Sequence, residues 1–207
     1  MTDINLLLIL AAALVAAASP GPATLAIAGT AMQQGRAPGL ALAAGVTTGS
    51  IIWSVSAAFG LGAVMLANAW AFELVRYFGA FYLLYLAFRS ARSALRPGTS
   101  QTITFKIPTL PAAYAKGLAL HLTNPKAVLF FGSLFAIAIP PGTAPTDLIT
   151  VILAVAVQSC LIFHGYALLF SNLTLTGGYM RLRRPLEALF AAAFASASWR
   201  ILTARLT

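Results

Sequence analysis

The sequence predicts an all-α integral membrane protein, in which six transmembrane helices form two inverted three-helix repeats and proline breaks the first helix of each repeat. Three observations predict this fold. The composition is 60% hydrophobic and 8% charged, with a mean hydropathy of +0.88, whereas soluble domains average about 25% charged residues. Apolar blocks of transmembrane length follow one another along almost the whole chain. Prolines also recur at nearly equivalent positions in its two halves.

Six apolar blocks approach the length that crosses a bilayer, which is about 20 residues in a helix. No polar stretch between them is long enough to form a soluble domain. The chain is therefore expected to be a single transmembrane domain over residues 1–207. In order, the predicted spans are Ile4–Gln33, Gly39–Ala67, Phe72–Phe88, Ala112–Ile139, Leu148–Phe170 and Leu186–Leu202.

The second half of the chain repeats the organisation of the first. The separation between Pro20 and Pro125, which interrupt the first span of each half, nearly equals that between the turn prolines Pro38 and Pro145. Because each half contains an odd number of spans, the second half starts from the opposite membrane face, so the repeat is inverted. We expect repeat 1 over residues 1–95, a cytoplasmic linker over 96–111 and repeat 2 over 112–207.

The net charge of +9 comes from 13 Lys and Arg residues against 4 Asp and Glu. Most of the basic residues fall in connections on one side of the predicted helices. By the positive-inside rule that side is cytoplasmic, so both termini face outward. Because these residues are spread over three loops beside apolar spans, we expect them to contact anionic lipid and not nucleic acid. They are Arg36, Arg89, Arg92, Arg96, Lys106, Lys116, Arg181, Arg183 and Arg184.

Gly45 and Gly49 form a small-xxx-small pair in the second span. Such pairs let helix backbones approach closely, and only sometimes line a pore. We therefore expect these glycines to mark a close contact between helices.

Ser19-Pro20-Gly21-Pro22, inside the first apolar block, is the strongest local signal in the chain. The two prolines remove backbone donors and, with the glycine between them, disfavour a regular α-helix. In hydrocarbon, a broken helix survives only where neighbouring helices cover it or where it lines a polar cavity. Many transporters build their substrate site from such discontinuous helices.

Thr123-Asn124-Pro125-Lys126 interrupts the fourth span in the same way. Counted from Lys116, Lys126 lies about 15 Å along the helix, close to the midplane of a core about 30 Å thick. A charge at that depth costs at least about 2.5 kcal/mol, so such residues usually face a cavity or a partner. A lysine that snorkels to the interface fits this depth less well, because the interface lies beyond its reach.

Together the two breaks would bring free amides, free carbonyls, an amide side chain and one cation to the centre of the bundle. Helix N-termini and Lys126 attract a carboxylate, and freed carbonyls attract an ammonium group. This combination suits a zwitterion, although a small organic anion would also fit the cation and the helix N-termini. The candidate substrate-binding residues are Pro20, Gly21, Pro22, Thr24, Asn124, Pro125 and Lys126.

Candidate proton carriers are few, because the carboxylates fall near the ends of predicted spans. These acids are Asp3, Glu73, Asp147 and Glu187. His121 precedes the second break and is of a type that changes charge near neutral pH; with Lys126 it is the candidate for proton coupling. His164, in the fifth span, is expected instead to form a hydrogen bond within or between helices.

Three other function classes are disfavoured. An enzyme inside the membrane would need a nucleophile with a base, a metal cluster or paired carboxylates, and the chain has 2 histidines and no acid at the predicted centre. A metal transporter would need His, Asp or Cys ligands at helical spacing, and none cluster. A scaffold has no need of broken helices. We therefore expect a transporter that is not an enzyme and needs no cofactor.

Five short sequence segments, spread over both halves of the chain, occur in an order that is typical of one protein family. They are Ser19-Pro20-Gly21-Pro22, Gly35-Arg36-Ala37-Pro38-Gly39-Leu40, Gly45-Val46-Thr47-Thr48-Gly49, Gly79-Ala80-Phe81-Tyr82-Leu83-Leu84-Tyr85-Leu86, and Asn124-Pro125-Lys126-Ala127 with Phe130-Phe131. In this order they resemble the lysine-exporter (LysE/RhtB) family of amino-acid efflux proteins. The resemblance implies a six-helix exporter of amino acids or close derivatives in the bacterial inner (cytoplasmic) membrane. It also implies a secondary transporter driven by an ion or proton gradient, and often a homo-oligomer.

The sequence departs from the family pattern at three places. Many members carry an acidic or amide residue directly after Pro-Gly-Pro, where this chain has Ala23. The usual Pro-Gln-Phe at the end of the fourth span is replaced by Ile139-Pro140-Pro141-Gly142, and Ala87 stands where most members have glycine. The first two departures leave open the substrate's side chain and the coupling ion.

Overall fold

The computed structural model describes residues 4–67, 69–95, 107–140 and 142–203, and the regular elements in these ranges are α-helices. This confirms the predicted all-α class. Two short helices followed by two long ones occur twice along the chain, while the inverted orientation of the two halves stays a prediction. In order, the helices are α1 (Leu6–Ala18), α2 (Pro22–Gln34), α3 (Arg36–Ala67), α4 (Ala69–Leu95), α5 (Leu110–Leu122), α6 (Pro125–Ala138), α7 (Pro145–Phe170) and α8 (Leu173–Thr203).

Only some of the described helices are long and apolar enough to cross a membrane. Among the described residues, the Arg36–Gly60 part of α3 and the whole of α7 are each long and apolar enough to cross a bilayer. α1 and α2, which are bent by 52° relative to each other, supply a third crossing if they act as one span. The other predicted spans and the outward-facing termini stay predictions. Most of the predicted linker, with Arg96 and Lys106, lies outside the described residues.

Pro38 and Pro145, predicted as turn residues, lie instead in the first turns of α3 and α7. The prediction was wrong because amide groups in the first turn have no intrahelical acceptor, so proline is well tolerated there. The connection before α3 is very short. Gly35, with a φ of 92°, ends α2, and α3 begins at the next residue.

α8 begins well before the predicted sixth span. At its start, Asn172 Oδ1 accepts hydrogen bonds from the amides of Thr174 at 2.9 Å and Leu175 at 3.2 Å, which is typical of a helix N-cap. The apolar block thus marked the hydrophobic part of the helix and not its beginning. Several basic residues expected in loops are therefore helical: Arg89 and Arg92 in α4, and Arg181, Arg183 and Arg184 in α8.

Both predicted helix breaks are present. The first separates α1 from α2, and the second separates α5 from α6. In each case a proline, Pro22 or Pro125, occupies the first position of the second helix, where its fixed φ and missing donor suit a helix start.

α3 and α5 pack closely through glycine, as the sequence predicted for Gly45. A Cβ atom on Gly45 would lie 2.0 Å from the carbonyl oxygen of Tyr114, and one on Gly117 would lie 2.1 Å from a backbone carbonyl of α3. A Cβ atom on Gly49 would lie 2.9 Å from Cβ of His121. Because any larger side chain would separate the helices, these glycines hold the end of α5 against α3.

The described core falls into two main hydrophobic clusters. One is built largely on α1, α4, α6, α7 and α8 and includes Ile9, Phe131 and Val151. The other joins α2, α3, α5 and α7 and includes Ile27 and Leu42. Each cluster contacts one half of both broken helix pairs, so packing fixes the positions of the helix ends at the two breaks.

Candidate functional site

The two helix breaks contact each other through Lys126. Its Nζ donates hydrogen bonds to the carbonyl oxygen of Ser19 at 2.9 Å and to Ser19 Oγ at 2.5 Å. Ser19 is 2% exposed and follows the last residue of α1, so these bonds join the first break to the start of α6. The contact expected from the sequence is therefore present, and its depth in the membrane stays a prediction.

Local hydrogen bonds shape the first break. Ser19 ends α1, donating its amide to the carbonyl of Val15 and its hydroxyl to that of Ala16 at 3.1 Å. Thr24 caps α2, where Oγ1 accepts from the Gly21 amide at 2.8 Å and donates to the Gly21 carbonyl at 3.1 Å. A side chain at the third helical position that accepts from the N-cap amide, as Thr24 does, is one half of a capping box and stabilises a helix start, so the break is a defined turn between two helices.

Two of the carbonyl groups freed by the first break have side-chain partners on other helices. The last carbonyls of a helix lack intrahelical donors. Here the Tyr166 hydroxyl donates to the carbonyl of Ala18 at 2.6 Å, and Lys126 donates to that of Ser19. The sequence predicted freed carbonyls for a substrate ammonium group, and in this structure a phenol and the protein's own ammonium group are bonded to them.

Asn124 shapes the second break. Its Oδ1 accepts a hydrogen bond from the amide of Lys126 at 3.0 Å, which makes it the N-cap of α6. Asn124 is 5% exposed. The cap fixes the first turn of α6, and with it the origin of the lysine side chain that reaches Ser19.

The two histidines have different surroundings. His121 is buried, its Nε2 lies 3.0 Å from Ser50 Oγ, and its ring packs edge-on against Phe163. Nδ1 of His121 is buried with no hydrogen-bond partner among the described residues. His164 Nδ1 donates to the carbonyl of Cys160, four residues earlier, at 2.9 Å. The hydrogen-bonding role expected for His164 is therefore confirmed.

The residues of both breaks line one cavity of about 40 Å³. At this cavity the C-terminal ends of α1 and α5, which carry partial negative charge, lie beside the N-terminal ends of α2 and α6, which carry partial positive charge. The polar part of its wall is formed by Ser19, Thr24, Ser50, His121, Asn124, Lys126 and Ser159. The apolar part, contributed by both hydrophobic clusters, includes Ala23, Phe130, Phe131, Val155 and Phe163.

Most of the residues predicted to bind substrate lie at this cavity. Gly21, Thr24, Asn124, Lys126 and the coupling candidate His121 all line it. The prolines at positions 20, 22 and 125 are not among its lining residues, and two of them begin helices. Any contact between these prolines and a substrate stays a prediction.

Three serines that line the cavity, Ser19, Ser50 and Ser159, were not among the predicted site residues. The signal for Ser19 was available, since a hydroxyl directly before the first proline lies among the freed carbonyls of a helix end. Ser50 is a polar residue inside an apolar span, which is compatible with either a cavity wall or a bond between helices, and its contact with His121 on a distant helix decides between them only in the structure.

The cavity is small for a ligand site. Small-molecule pockets usually measure about 300–1,000 Å³, whereas 40 Å³ accommodates about three water molecules. A second cavity of about 610 Å³ lies between α1, α4, α6 and α8, and its wall is apolar apart from Ser133 and Ser196. None of the described residues that line the second cavity is charged, so the cavity at the breaks is the candidate site for a zwitterion.

A buried carboxylate, missed in the sequence, lies where α4 packs against α8. Glu187 is 3% exposed, and its Oε1 accepts a hydrogen bond from Ser93 Oγ at 2.8 Å. Arg183 is also buried, and its Nη2 donates to Ser93 Oγ at 3.1 Å. Glu187 was predicted to lie at a span end because it directly follows Leu186, but position along the helix does not reveal which face is buried.

Comparisons with known proteins give a consistent result. Residues 14–205 match the LysE type translocator family. The threonine efflux protein of Escherichia coli (strain K12) is 27% identical over 197 residues, covering 93% of this chain and 94% of the relative. That of Salmonella typhi is 25% identical over 194 residues, with coverage of 93% and 94%. An uncharacterized membrane protein of Pseudomonas aeruginosa is 32% identical over 168 residues, covering 80% and 78%. No solved structure matches the chain.

Proposed function

Because this chain belongs to the LysE type translocator family, we propose that it exports amino acids or close derivatives across the bacterial cytoplasmic membrane by secondary active transport. Relatives that bear the name threonine efflux protein support an amino acid as cargo. The observation that carries the proposal is the contact of Lys126 with Ser19, since it brings a cation and four helix ends to one cavity. A homo-oligomer remains part of the proposal.

Substrate binding requires an exchange of partners at Lys126. The ammonium group of the lysine now bonds to the Ser19 carbonyl and hydroxyl. A bound amino acid would place its carboxylate on Lys126 and on amides at the starts of α2 and α6, and its own ammonium group on the Ser19 carbonyl. Because the cavity is smaller than an amino acid, its walls must move as substrate enters and leaves, as alternating access requires.

The cargo proposed is an amino acid with a neutral side chain. No acidic residue is among the described residues that line the cavity, so a second positive charge on the substrate would be buried without a partner. Ala23 adds to an apolar wall that includes Phe131 and Phe163. We also propose that His121 and Lys126 set the charge of the cavity.

The proposal is tested by export from cells that lack their own amino-acid exporters. The cells are loaded with dipeptides of threonine, leucine or lysine, and the intracellular and external amino acids are measured with and without the protein. We expect threonine and leucine to be exported several-fold faster with the protein, and lysine to be unaffected. A parallel arm loads the cells with lactate, which has a carboxylate and no amine.

The measurement with lactate distinguishes amino-acid export from the main alternative, which is export of a small organic anion. The Lys126 ammonium group and two helix N-termini would also bind a small organic anion. Export of lactate without export of any amino acid would replace the amino-acid proposal with an anion exporter. Export of lysine in preference to threonine would contradict the neutral cargo and leave amino-acid export in place.

Asn124→Ala separates a capping role from a role in transport. Loss of an N-cap costs about 1 kcal/mol, and Asn5 provides a matched control because its Oδ1 caps α1 through the amide of Leu8 at 2.9 Å. We expect Asn124→Ala and Asn5→Ala to lower thermal stability in detergent by similar amounts. Only Asn124→Ala should slow threonine export, because Asn124 lines the cavity. Equal export by the two variants would limit Asn124 to its capping role.

A further inference from the structure

We infer that Glu187, together with Ser93 and Arg183, forms a proton-binding site that is separate from the substrate cavity and couples proton entry to export. This inference rests on the secondary transport proposed above. The ligand of the site is a proton, and the group that binds it is the Glu187 carboxylate.

The geometry of the cluster supports a carboxylate with two states. Glu187 and Arg183 lie one turn apart on α8, and both are nearly enclosed, with exposed fractions of 3% and 7%. Ser93 on α4 connects them, because its hydroxyl accepts from Arg183 and donates to Glu187. Ionisable groups buried in membrane proteins are costly, and they commonly mark proton relays.

Polar side chains extend from this cluster toward the first helix break. Tyr179, Arg183 and Glu187 are spaced by four residues along α8 and therefore share one face of the helix. The Tyr179 hydroxyl lies 3.3 Å from that of Tyr166, which in turn donates to the carbonyl of Ala18 at 2.6 Å. These side chains thus reach the residue before Ser19, the partner of Lys126.

Charged and titratable groups on α4, α6, α7 and α8 surround Glu187. The nearby helix α1 contributes none, because it has no titratable side chain. Glu187 interacts electrostatically with Lys126, Tyr166 and Tyr179. Arg89 on α4 also interacts electrostatically with Lys126, but it repels the positive charge of the lysine, whereas Glu187 attracts it. A change in the charge of Glu187 would therefore alter the electrostatic potential at Lys126, which lines the substrate cavity. The groups that interact with Glu187 or Arg183 are Ser93 on α4, Lys126 on α6, Tyr166 on α7 and Tyr179 on α8, and Arg89 on α4 acts on Lys126.

The proposed step moves one proton and changes no covalent bond of the backbone. A proton from water on the outer side binds one oxygen of the Glu187 carboxylate, whose charge changes from −1 to 0. The new O–H donates to Ser93, which changes from donor to acceptor. Release of the proton to water on the cytoplasmic side restores the carboxylate and its hydrogen bond from Ser93, and completes the cycle.

Glu187→Gln tests the site in proteoliposomes. Gln keeps an oxygen that accepts from Ser93 but cannot take up a proton at neutral pH. Two rates are measured: threonine transport driven by a pH gradient, and exchange of labelled for unlabelled threonine without a gradient. We expect the driven rate to fall about 10-fold or more while exchange stays within about twofold, because coupling between sites is typically worth about 5- to 150-fold. Asp147→Asn, which removes a carboxylate near the start of α7, should change neither rate.

Each outcome bears on a different claim. Glu187→Gln protein that keeps gradient-driven transport would overturn the inference, and so would an equal loss of driven transport and exchange. Wild-type protein that exchanges no amino acid would instead contradict the export function itself. If Glu187→Gln protein does not fold, Tyr166→Phe serves in its place, since it removes the hydroxyl that joins Tyr179 to the carbonyl of Ala18. An unchanged ratio of driven transport to exchange in Tyr166→Phe protein would then overturn the inference.

Discussion

Replacing Lys126 with methionine should nearly abolish amino-acid export while leaving a folded membrane protein. Lysine supplies the cation of the cavity, and hydrogen bonds to charged groups contribute about 1.5–3 kcal/mol each, or about 10- to 150-fold. Methionine fills the same space without a charge, so the variant also avoids the cost of burying an ammonium group. We expect export of threonine to fall about 100-fold, measured as the initial rate from dipeptide-loaded cells.

The matched controls for this variant are Lys126→Arg and Lys116→Met. Arginine keeps the charge but not the compact ammonium group, so Lys126→Arg should retain part of the activity. Lys116 is an exposed lysine of α5, and its replacement should leave the export rate unchanged. If Lys126→Met protein exported threonine at the wild-type rate, the carboxylate of the substrate would not bind Lys126, and the proposed site would be wrong.

Adding one methyl group at Gly45 should strongly destabilise the protein. The Cβ atom of Gly45→Ala would lie 2.0 Å from the Tyr114 carbonyl oxygen and 2.7 Å from the Leu118 amide nitrogen. These are backbone atoms of α5, so the helices themselves must move apart. Overpacking of this kind costs about 1–3 kcal/mol and occasionally more. We expect a clear fall in the temperature at which the detergent-solubilised protein aggregates, together with loss of export because α5 carries His121.

Gly60→Ala is the matched control on the same helix. A Cβ atom at Gly60 would meet nothing within 4 Å, and alanine is favoured over glycine in a helix by about 0.5–1 kcal/mol. The Gly60→Ala protein should therefore be as stable as the wild type or slightly more so. Equal stability of the two alanine variants would show that α3 and α5 are not in the close contact described.

The helix breaks were predictable from sequence because proline acts on its own backbone. Pro22 and Pro125 lack an amide hydrogen and have a fixed φ, so their effect needs no information about distant residues. Lys126 was identifiable for a similar reason, since a lysine far from both ends of an apolar block is costly anywhere except at a partner or cavity. The class of fold and the two halves of the site followed from these local rules.

Other features depended on contacts between distant parts of the chain. Burial of Glu187 requires α4 to cover one face of α8, and its partner Ser93 is far away in sequence. The start of α8 was misplaced because hydrophobicity marks the buried stretch, while the cap at Asn172 is a separate local signal. The pairing of Lys126 with Ser19 also depends on how the two broken helices pack.

The contact between Lys126 and Ser19 also predicts the substrate concentration at which export begins. Because the protein's own ammonium group holds the acceptors that a substrate would use, binding exchanges one set of hydrogen bonds for another and gains little net free energy. A site with such a small gain in free energy is mostly empty at low substrate concentration and is occupied only when the substrate accumulates. We therefore expect low substrate affinity, so that the protein exports amino acids only when their intracellular concentration is high and leaves the cell the amino acids that it needs for growth.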